Sequence, residues 1–236
     1  MPKYKEIFWK IIEQINEKEM RQGEKLPSIE TLMKQYNAGK NTILTALNEL
    51  EKQAYIYQVR GSGSFVRKQK HSGYLNITEA NGLRNSLREY NLTSKMLELK
   101  IVKPNSEVLA NLNAEEDEDI YYVKRLRLVD EKPFSIEKSY YLKSVVPYLN
   151  QDIVESSIFE YLINDLKLKP GFTDHFLKLG TLNEEDASFL HLKEGEPAIL
   201  LESIFFLKNG QPFDYSKVIY HQNAQFFIQG YNYFEM

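Results

Sequence analysis

The sequence has no cysteine among its 236 residues. That excludes disulfides, thiolate metal sites and cysteine nucleophiles, and it fits a reducing compartment. Only four histidines occur, His71, His175, His191 and His221, and they are scattered without the spacing of a metal-ligand set. No serine lies in a nucleophile elbow. Gly61-Ser62-Gly63 lacks the third glycine and the following helix that a dinucleotide loop needs. No stretch is apolar for long enough to span a bilayer. Residues 1–10 interleave Lys3, Lys5, Glu6 and Lys10 with Ile7, Phe8 and Trp9, unlike the apolar core of a signal peptide. The expectations from these absences are no catalysis, no metal, no cofactor and a cytoplasmic location. The Asn-x-Thr matches at Asn76 and Asn91 carry no weight, because glycosylation requires secretion.

Apolar residues make up 42% and charged residues 27%, which is ordinary globular usage, and the length suits two domains. The net charge of −3 hides an asymmetry. Residues 1–70 hold 13 Lys and Arg against 8 Asp and Glu, whereas the remainder holds 17 against 25. A basic N-terminal segment on an acidic body suits one face that meets a polyanion.

Ile7, Phe8, Ile11, Ile12 and Ile15 recur at helical spacing and predict an amphipathic helix from Lys3 to Met20, with Gly23 as its stop. Leu26-Pro27-Ser28 supplies an extended residue, a fixed φ and an N-cap for a second helix to Tyr36. After the turn at Asn37-Ala38-Gly39, Ile43, Leu47, Leu50 and Ala54 form the inward stripe of a third helix from Lys40 to Ala54. The β-forming run 55–59, the turn at 60–63 and the strand at 64–66 read as a hairpin. Three helices closed by a hairpin make a winged helix-turn-helix. Its third helix would enter the major groove, where Lys40 can neutralise phosphate and Asn41 and Thr42 can read base edges. Arg60, Ser62 and Gly63 at the wing tip, and Ser28 at the start of the second helix, complete the predicted DNA contacts.

Gly23-Glu24-Lys25-Leu26-Pro27-Ser28, the helix from Thr42 to Leu50 and Gly61-Ser62-Gly63-Ser64-Phe65-Val66 resemble the DNA-binding signature of the GntR family in order and spacing. The sequence departs from that family at Glu30, Leu44 and Thr45, where arginines are usual. Fewer cationic contacts then remain, and dimerisation must supply more of the binding energy.

Lys68 to Gly73 is polar and crossed by no apolar period, so the linker is placed there. The expected division is 1–68 for the winged helix, 69–78 for the linker and 79–236 for an effector-binding and dimerisation domain. Beyond Ser94, β-rich runs at 120–129, 134–141, 173–181, 198–207 and 214–220 alternate with short helices at 105–112, 157–165 and 183–190. The last two have Ser157 and Asn183 as caps, Pro170-Gly171 is a downstream stop, and 115–119 is a solvated loop. The fold class is α+β, with an antiparallel second domain. Arg125 and Arg127 lie two apart on one strand, so both guanidinium groups leave the same face and can converge on one anion. Glu137 on the next strand can hold those forks or accept ligand hydroxyls. Ser157, at a helix start, stands where anions are favoured.

The segments 124–130, 133–137, 156–162, 194–197 and 210–216 resemble, in order and interval, the UTRA ligand-binding domain of the HutC-type branch of the same family. That domain has a chorismate-lyase-like fold. The resemblance implies an effector pocket lined by Arg125, Arg127, Glu137, Ser157, Phe159 and Tyr220, with Asn81 and Gly82 at the effector loop. Phe159 stands where the family usually has tyrosine, which removes one hydroxyl. The implied function is transcription regulation, by repression as the default. The protein would be a homodimer on an inverted-repeat double-stranded operator, released or recruited by a small anionic effector such as a sugar phosphate. No membrane partner is expected. Two other readings compete: a small-molecule-binding enzyme of chorismate-lyase-like fold, and a DNA-binding protein without a ligand.

Overall fold

Five apolar side chains of the first helix, Ile7, Phe8, Ile11, Ile12 and Ile15, are all buried, as their helical spacing demands. This helix, α1 (Lys3–Glu17), packs with α2 (Ile29–Tyr36) and α3 (Lys40–Lys52) around Leu32, Ile43, Leu47 and Leu50. Each such burial contributes about 1.5–3 kcal/mol. The computed structural model describes residues 2–18, 20–67, 74–77, 87 and 90–228, which form two units, 2–67 and 74–228.

Helix α1 ends before the predicted Met20. Met20 is buried against the same core, but its N–H bonds the Ile15 carbonyl from outside the helix. Apolar spacing reports burial, not backbone state. Ser28 caps α2, its Oγ accepting from Thr31 N at 3.2 Å, and Asn37 closes the helix in the left-handed region at φ 45°. Helix α3 stops at Lys52 and not at Ala54, which turns out of the helix at φ 57°. Strands β1 (Ile56–Val59) and β2 (Gly63–Val66) pair antiparallel as the wing.

The second unit is built on a six-stranded antiparallel sheet. Its strands are β4 (Leu92–Val102), β5 (Ile120–Val129), β6 (Lys132–Leu142), β7 (Pro170–Thr181), β8 (Pro197–Leu207) and β9 (Pro212–Tyr220). Their order across the sheet is β4-β5-β6-β9-β8-β7. A short parallel pair, β3 (Tyr74–Asn76) with β10 (Gln225–Phe227), stands apart. Tyr74–Asn76 falls inside the expected linker but is strand, because Leu75 and Asn76 are buried with this unit. The rest of that linker, 69–73 and 78, lies outside the described residues, as do Asn81 and Gly82.

Two helices, α4 (Ser106–Leu112) and α7 (Glu184–Leu190), pack on one face of the sheet through Val108, Leu112, Ala187 and Leu190. Two others, α5 (Gln151–Glu155) and α6 (Ile158–Asn164), bury Val154, Ile158 and Leu162 among Val123, Tyr121 and Tyr141 of the opposite face. Asn105, Asn150, Ser157 and Asn183 each cap a helix through the side-chain oxygen. Pro170 does not stop α6 but opens β7; the chain leaves the helix through Lys167 at φ 56°.

Candidate DNA-binding face and effector site

The start of α3 is exposed at Lys40 and Asn41 and half-buried at Thr42, while Ile43 turns into the core. Gly39 stands at the N-cap and offers no side-chain oxygen. No side chain therefore competes with water or phosphate at the first turn, where the helix dipole favours an anion. Ser28 uses its hydroxyl locally, on Thr31 N and Thr31 Oγ1, so only its remaining capacity is open to DNA. Arg60, Gly61, Ser62 and Gly63 form an exposed tip, closed by Ser62 N on the Val59 carbonyl. Gly61 and Gly63 have φ of 78° and 119°, which L side chains rarely adopt, so the two glycines are required by the turn itself.

A further strand joins this wing. Lys25 bridges Phe65, Leu26 N bonds the Ser64 carbonyl, and residues 23 and 24 exchange bonds with Val66. A Cβ at Gly63 would lie 2.9 Å from Lys25 Cε. The exposed Lys25 side chain thus runs alongside the tip and adds a cation to the wing that carries Arg60. Sequence reasoning missed it because a one-residue bridge leaves no periodic trace.

The residues expected to line the effector pocket lie mostly on one face of the large sheet. One cross-strand row runs Met96, Arg125, Glu137, Val218, Leu201. The next runs Ser94, Arg127, Ser135, Tyr220, Ile199. On the other side of the first row come Val123, Ser139, Ser216, Ser203 and His175. A polar belt therefore crosses the middle of this face. One end is covered by the apolar cluster of α5 and α6, the other by Leu75, Leu87, Ala224 and their neighbours.

Arg125 is buried. Its Nη2 donates to both oxygens of Glu137, at 2.8 and 3.0 Å, and its Nη1 donates to the Val154 carbonyl of α5 at 2.9 Å. Arg127 approaches Glu137 Oε2 at 3.8 Å and keeps 12% of its side chain exposed. Burial disfavours the Glu137 charge, but the Arg125 and Arg127 guanidiniums beside it hold its carboxyl below the usual range. Burial opposes the Arg125 charge in the same way, and the Glu137 carboxylate outweighs it. Tyr220 is buried behind Arg127 and Glu137, and burial raises its hydroxyl pKa well above the ordinary value, assisted by the Glu137 charge.

The sequence reading missed Asp214. It is fully buried on the same face, one row beyond Ser139 and Ser216, and accepts from the Ser216 hydroxyl. Burial first, and then the Glu137 charge, push its carboxyl well above the usual range. Two guanidiniums, those of Arg125 and Arg127, lie beside the Glu137 carboxylate. Arg125 Nε and Ser135 Oγ have no hydrogen-bond partner among the described residues, and buried polar atoms in that state are costly.

Ser157 stands at the N-cap of α6 and Phe159 in its first turn. The Ser157 hydroxyl accepts from Glu160 N at 3.3 Å as a cap of a seven-residue helix, too short to bring much dipole. Phe159 packs against Phe205 and Phe213 with ring centroids 4.9 and 6.4 Å away. Phe159 therefore forms part of the apolar end, and the arginines form the polar middle.

A three-helix unit with a glycine-tipped wing, joined to an antiparallel α+β domain with a buried belt of arginine, glutamate and serine, defines a DNA-binding regulator with a ligand-sensing domain. The pattern of the bacterial regulatory proteins of the gntR family matches residues 3–66, and that of the UTRA domain matches 87–225. The chain belongs to the GntR family of transcription regulators, in its HutC-type branch with a UTRA domain. It is 49% identical over 230 residues to the uncharacterized HTH-type transcriptional regulator YydK of Bacillus subtilis (strain 168), covering 97% of this chain and 98% of that one. The crystal structure of YydK matches with a TM-score of 0.89 and 48% identity, over 98% of this chain and 100% of the other. The HTH-type transcriptional repressor NagR of the same organism is 24% identical over 234 residues, 97% of this chain and 94% of that one. The effector binding domain of the B. subtilis trehalose repressor (TreR) shares the fold, with a TM-score of 0.55 and 22% identity over 61% of this chain and 99% of that one. Among the described residues no helix is long and apolar enough to cross a membrane.

Proposed function

We propose that this regulator is a repressor whose hold on its operator is changed by a small anionic metabolite, with a sugar phosphate as the leading class. The observation that carries the reading is the buried belt: the guanidiniums of Arg125 and Arg127 on one face of the sheet beside Glu137, with Ser135, Ser139 and Ser216 in the neighbouring rows. Two guanidiniums that leave one face of the sheet suit an anion, and the serine and carboxyl groups beside them suit hydroxyls. NagR is a transcriptional repressor and TreR is the trehalose repressor of B. subtilis; both relatives support repression, and TreR supports a sugar-derived ligand. Two copies would present two winged helices to an inverted-repeat operator. Each would contact it through Lys40, Asn41 and Thr42 of α3, Arg60, Ser62 and Gly63 of the wing, Ser28 ahead of α2, and Lys25. A ligand with unequal affinity for the operator-bound and free forms must change operator affinity by that same factor.

The test is a mobility-shift titration of the full chain on DNA from upstream of its own gene, with a panel of sugar phosphates and the matching uncharged sugars. Saturable binding that a phosphorylated sugar releases, and its uncharged counterpart does not, supports the reading. Operator binding that only uncharged sugars alter would overturn the anionic assignment.

A further inference from the structure

Helix α3 and the wing are joined by a chain of polar side chains whose direction is fixed. Glu51 of α3 accepts from Gln58 N of β1 at 2.8 Å through Oε1 and from Gln58 Nε2 at 2.9 Å through Oε2. A carboxylate can only accept, so the Gln58 amide must turn its nitrogen toward Glu51. The other hydrogen of that nitrogen goes to Asn48 Oδ1, at 3.0 Å. Asn48 is therefore held by its oxygen, and among the described residues nothing bonds its Nδ2. Asn48 is exposed and lies seven positions after Asn41, two turns further along the same stripe of α3. Between them Thr45 donates its hydroxyl to the Asn41 carbonyl at 2.8 Å, and Leu44 has no polar side-chain atom.

We infer that Asn48 is a second base-reading residue, oriented by the Gln58–Glu51 brace so that it offers hydrogen-bond donors to the major groove. The inference rests on the reading of α3 as the helix that enters the groove, and it names a specificity residue there. Seven residues of helix rise about 10 Å, the length of about three base pairs, so Asn48 meets a base pair some three steps from the one that Asn41 meets. A free asparagine offers one acceptor and a pair of donors, and it suits adenine, which presents N7 and the N6 amino group side by side. With Oδ1 held against the wing, Asn48 presents Nδ2 and its hydrogens alone. Guanine, with acceptors at O6 and N7 and no donor in the major groove, fits that arrangement best, whereas the N4 amino group of cytosine opposes it donor to donor. Gln58 and Glu51 act through Asn48 and are positioning residues.

The experiment measures the affinity of the full chain for operator variants in which each half-site base pair is changed in turn. Asn48→Ala removes an exposed side chain and leaves the Gln58–Glu51 bonds in place, so the fold is kept. It should lose, at one position, a preference of about fivefold or more for guanine over cytosine, with the other positions unchanged. Glu51→Gln removes the group that fixes the direction of the amides, and the same preference should fade although Asn48 is present. Adding Gln58→Glu to Glu51→Gln rebuilds the brace in reverse. The new amide at 51 donates to the new carboxylate at 58, which takes a hydrogen from Asn48 Nδ2 and leaves Oδ1 facing the groove. The preference should then invert toward cytosine, whose N4 donates. A brace that only held the wing in place would return the original preference. Asn48→Ala with the wild-type preference at every position, or a double exchange that still favours the wild-type base, overturns the inference. Asn41→Ala separates the two ideas. If it relaxes specificity and Asn48→Ala does not, only the role of Asn48 fails; if neither change alters the binding of any operator variant, the reading of α3 as the recognition helix fails.

Discussion

At the scale of single residues, the two arginines that look alike in sequence do different work. Arg125 ties β5 to Glu137 and to the Val154 carbonyl, so it holds α5 against the sheet. Arg125→Ala leaves a nearly buried carboxylate without its main partner and should cost about 3–5 kcal/mol of stability. Arg127 bonds Glu137 less closely and retains exposure, so Arg127→Ala should keep most of the melting temperature while abolishing release from operator by the effector. Thermal unfolding and effector-dependent mobility shifts, run side by side, check the contrast. An Arg127→Ala protein that responds like the wild type would move the anion site elsewhere.

Asp214 gives a prediction of opposite sign to Glu137. Its folded pKa is raised, by burial and then by Glu137. Its contribution to stability is therefore complete below the ordinary aspartate value of about 3.9 and is lost as pH rises through the folded value. The Glu137 pKa is lowered despite burial, because of Arg125 and then Arg127. Its contribution is present above the ordinary glutamate value of about 4.3 and is lost as pH falls. Asp214→Asn keeps the shape and removes only the first term. The stability of the wild type relative to Asp214→Asn, measured by urea unfolding, should fall as pH rises above the ordinary aspartate value of about 3.9. A difference independent of pH would mean that Asp214 is ionised in the fold.

At the scale of elements, what local chemistry encodes was readable and what distant strands impose was not. Asn105, Ser157 and Asn183 announce helices because each cap is a bond to a residue three positions on. Strand β5 was legible residue for residue, since ten residues with β-forming apolar positions leave little ambiguity. Helix α5 was missed: five residues with only Ile153 and Val154 apolar show no period, although Asn150 carries the same capping signal. The third strand of the wing escaped for a similar reason, because Lys25 is placed by Phe65 forty positions away. That Arg125 and Arg127 share one face, with Glu137 on the next strand, was legible from strand alternation and strand order. Asp214 was not, because its burial comes from β6 and β8 on either side; its one trace is a carboxylate among apolar residues in a strand core.

At the scale of the whole molecule, the charge asymmetry decides where DNA can bind. Residues beyond 70 hold 17 basic against 25 acidic side chains and repel a polyanion, so the cations of the first unit must carry the phosphate contacts. Glu30, Leu44 and Thr45 supply no positive charge on α2 and α3, which leaves Lys40, Lys25 and Arg60 as the exposed cations at the helix start and wing. Each phosphate neutralised adds about 0.9 to the slope of log affinity against log salt. In a symmetric dimer, Lys40→Ala removes two such contacts and should flatten the slope by roughly 2, weakening all DNA sequences alike. Asn41→Ala removes no charge. It should leave the slope unchanged and erode the preference for operator over unrelated DNA, because an amide at that position reads base edges and does not neutralise phosphate. Anisotropy titrations over a range of salt, on operator and on scrambled DNA, resolve the two effects. If Lys40→Ala and Arg60→Ala both leave the slope untouched, the phosphate contacts lie on a different face from the one formed by α3 and the wing.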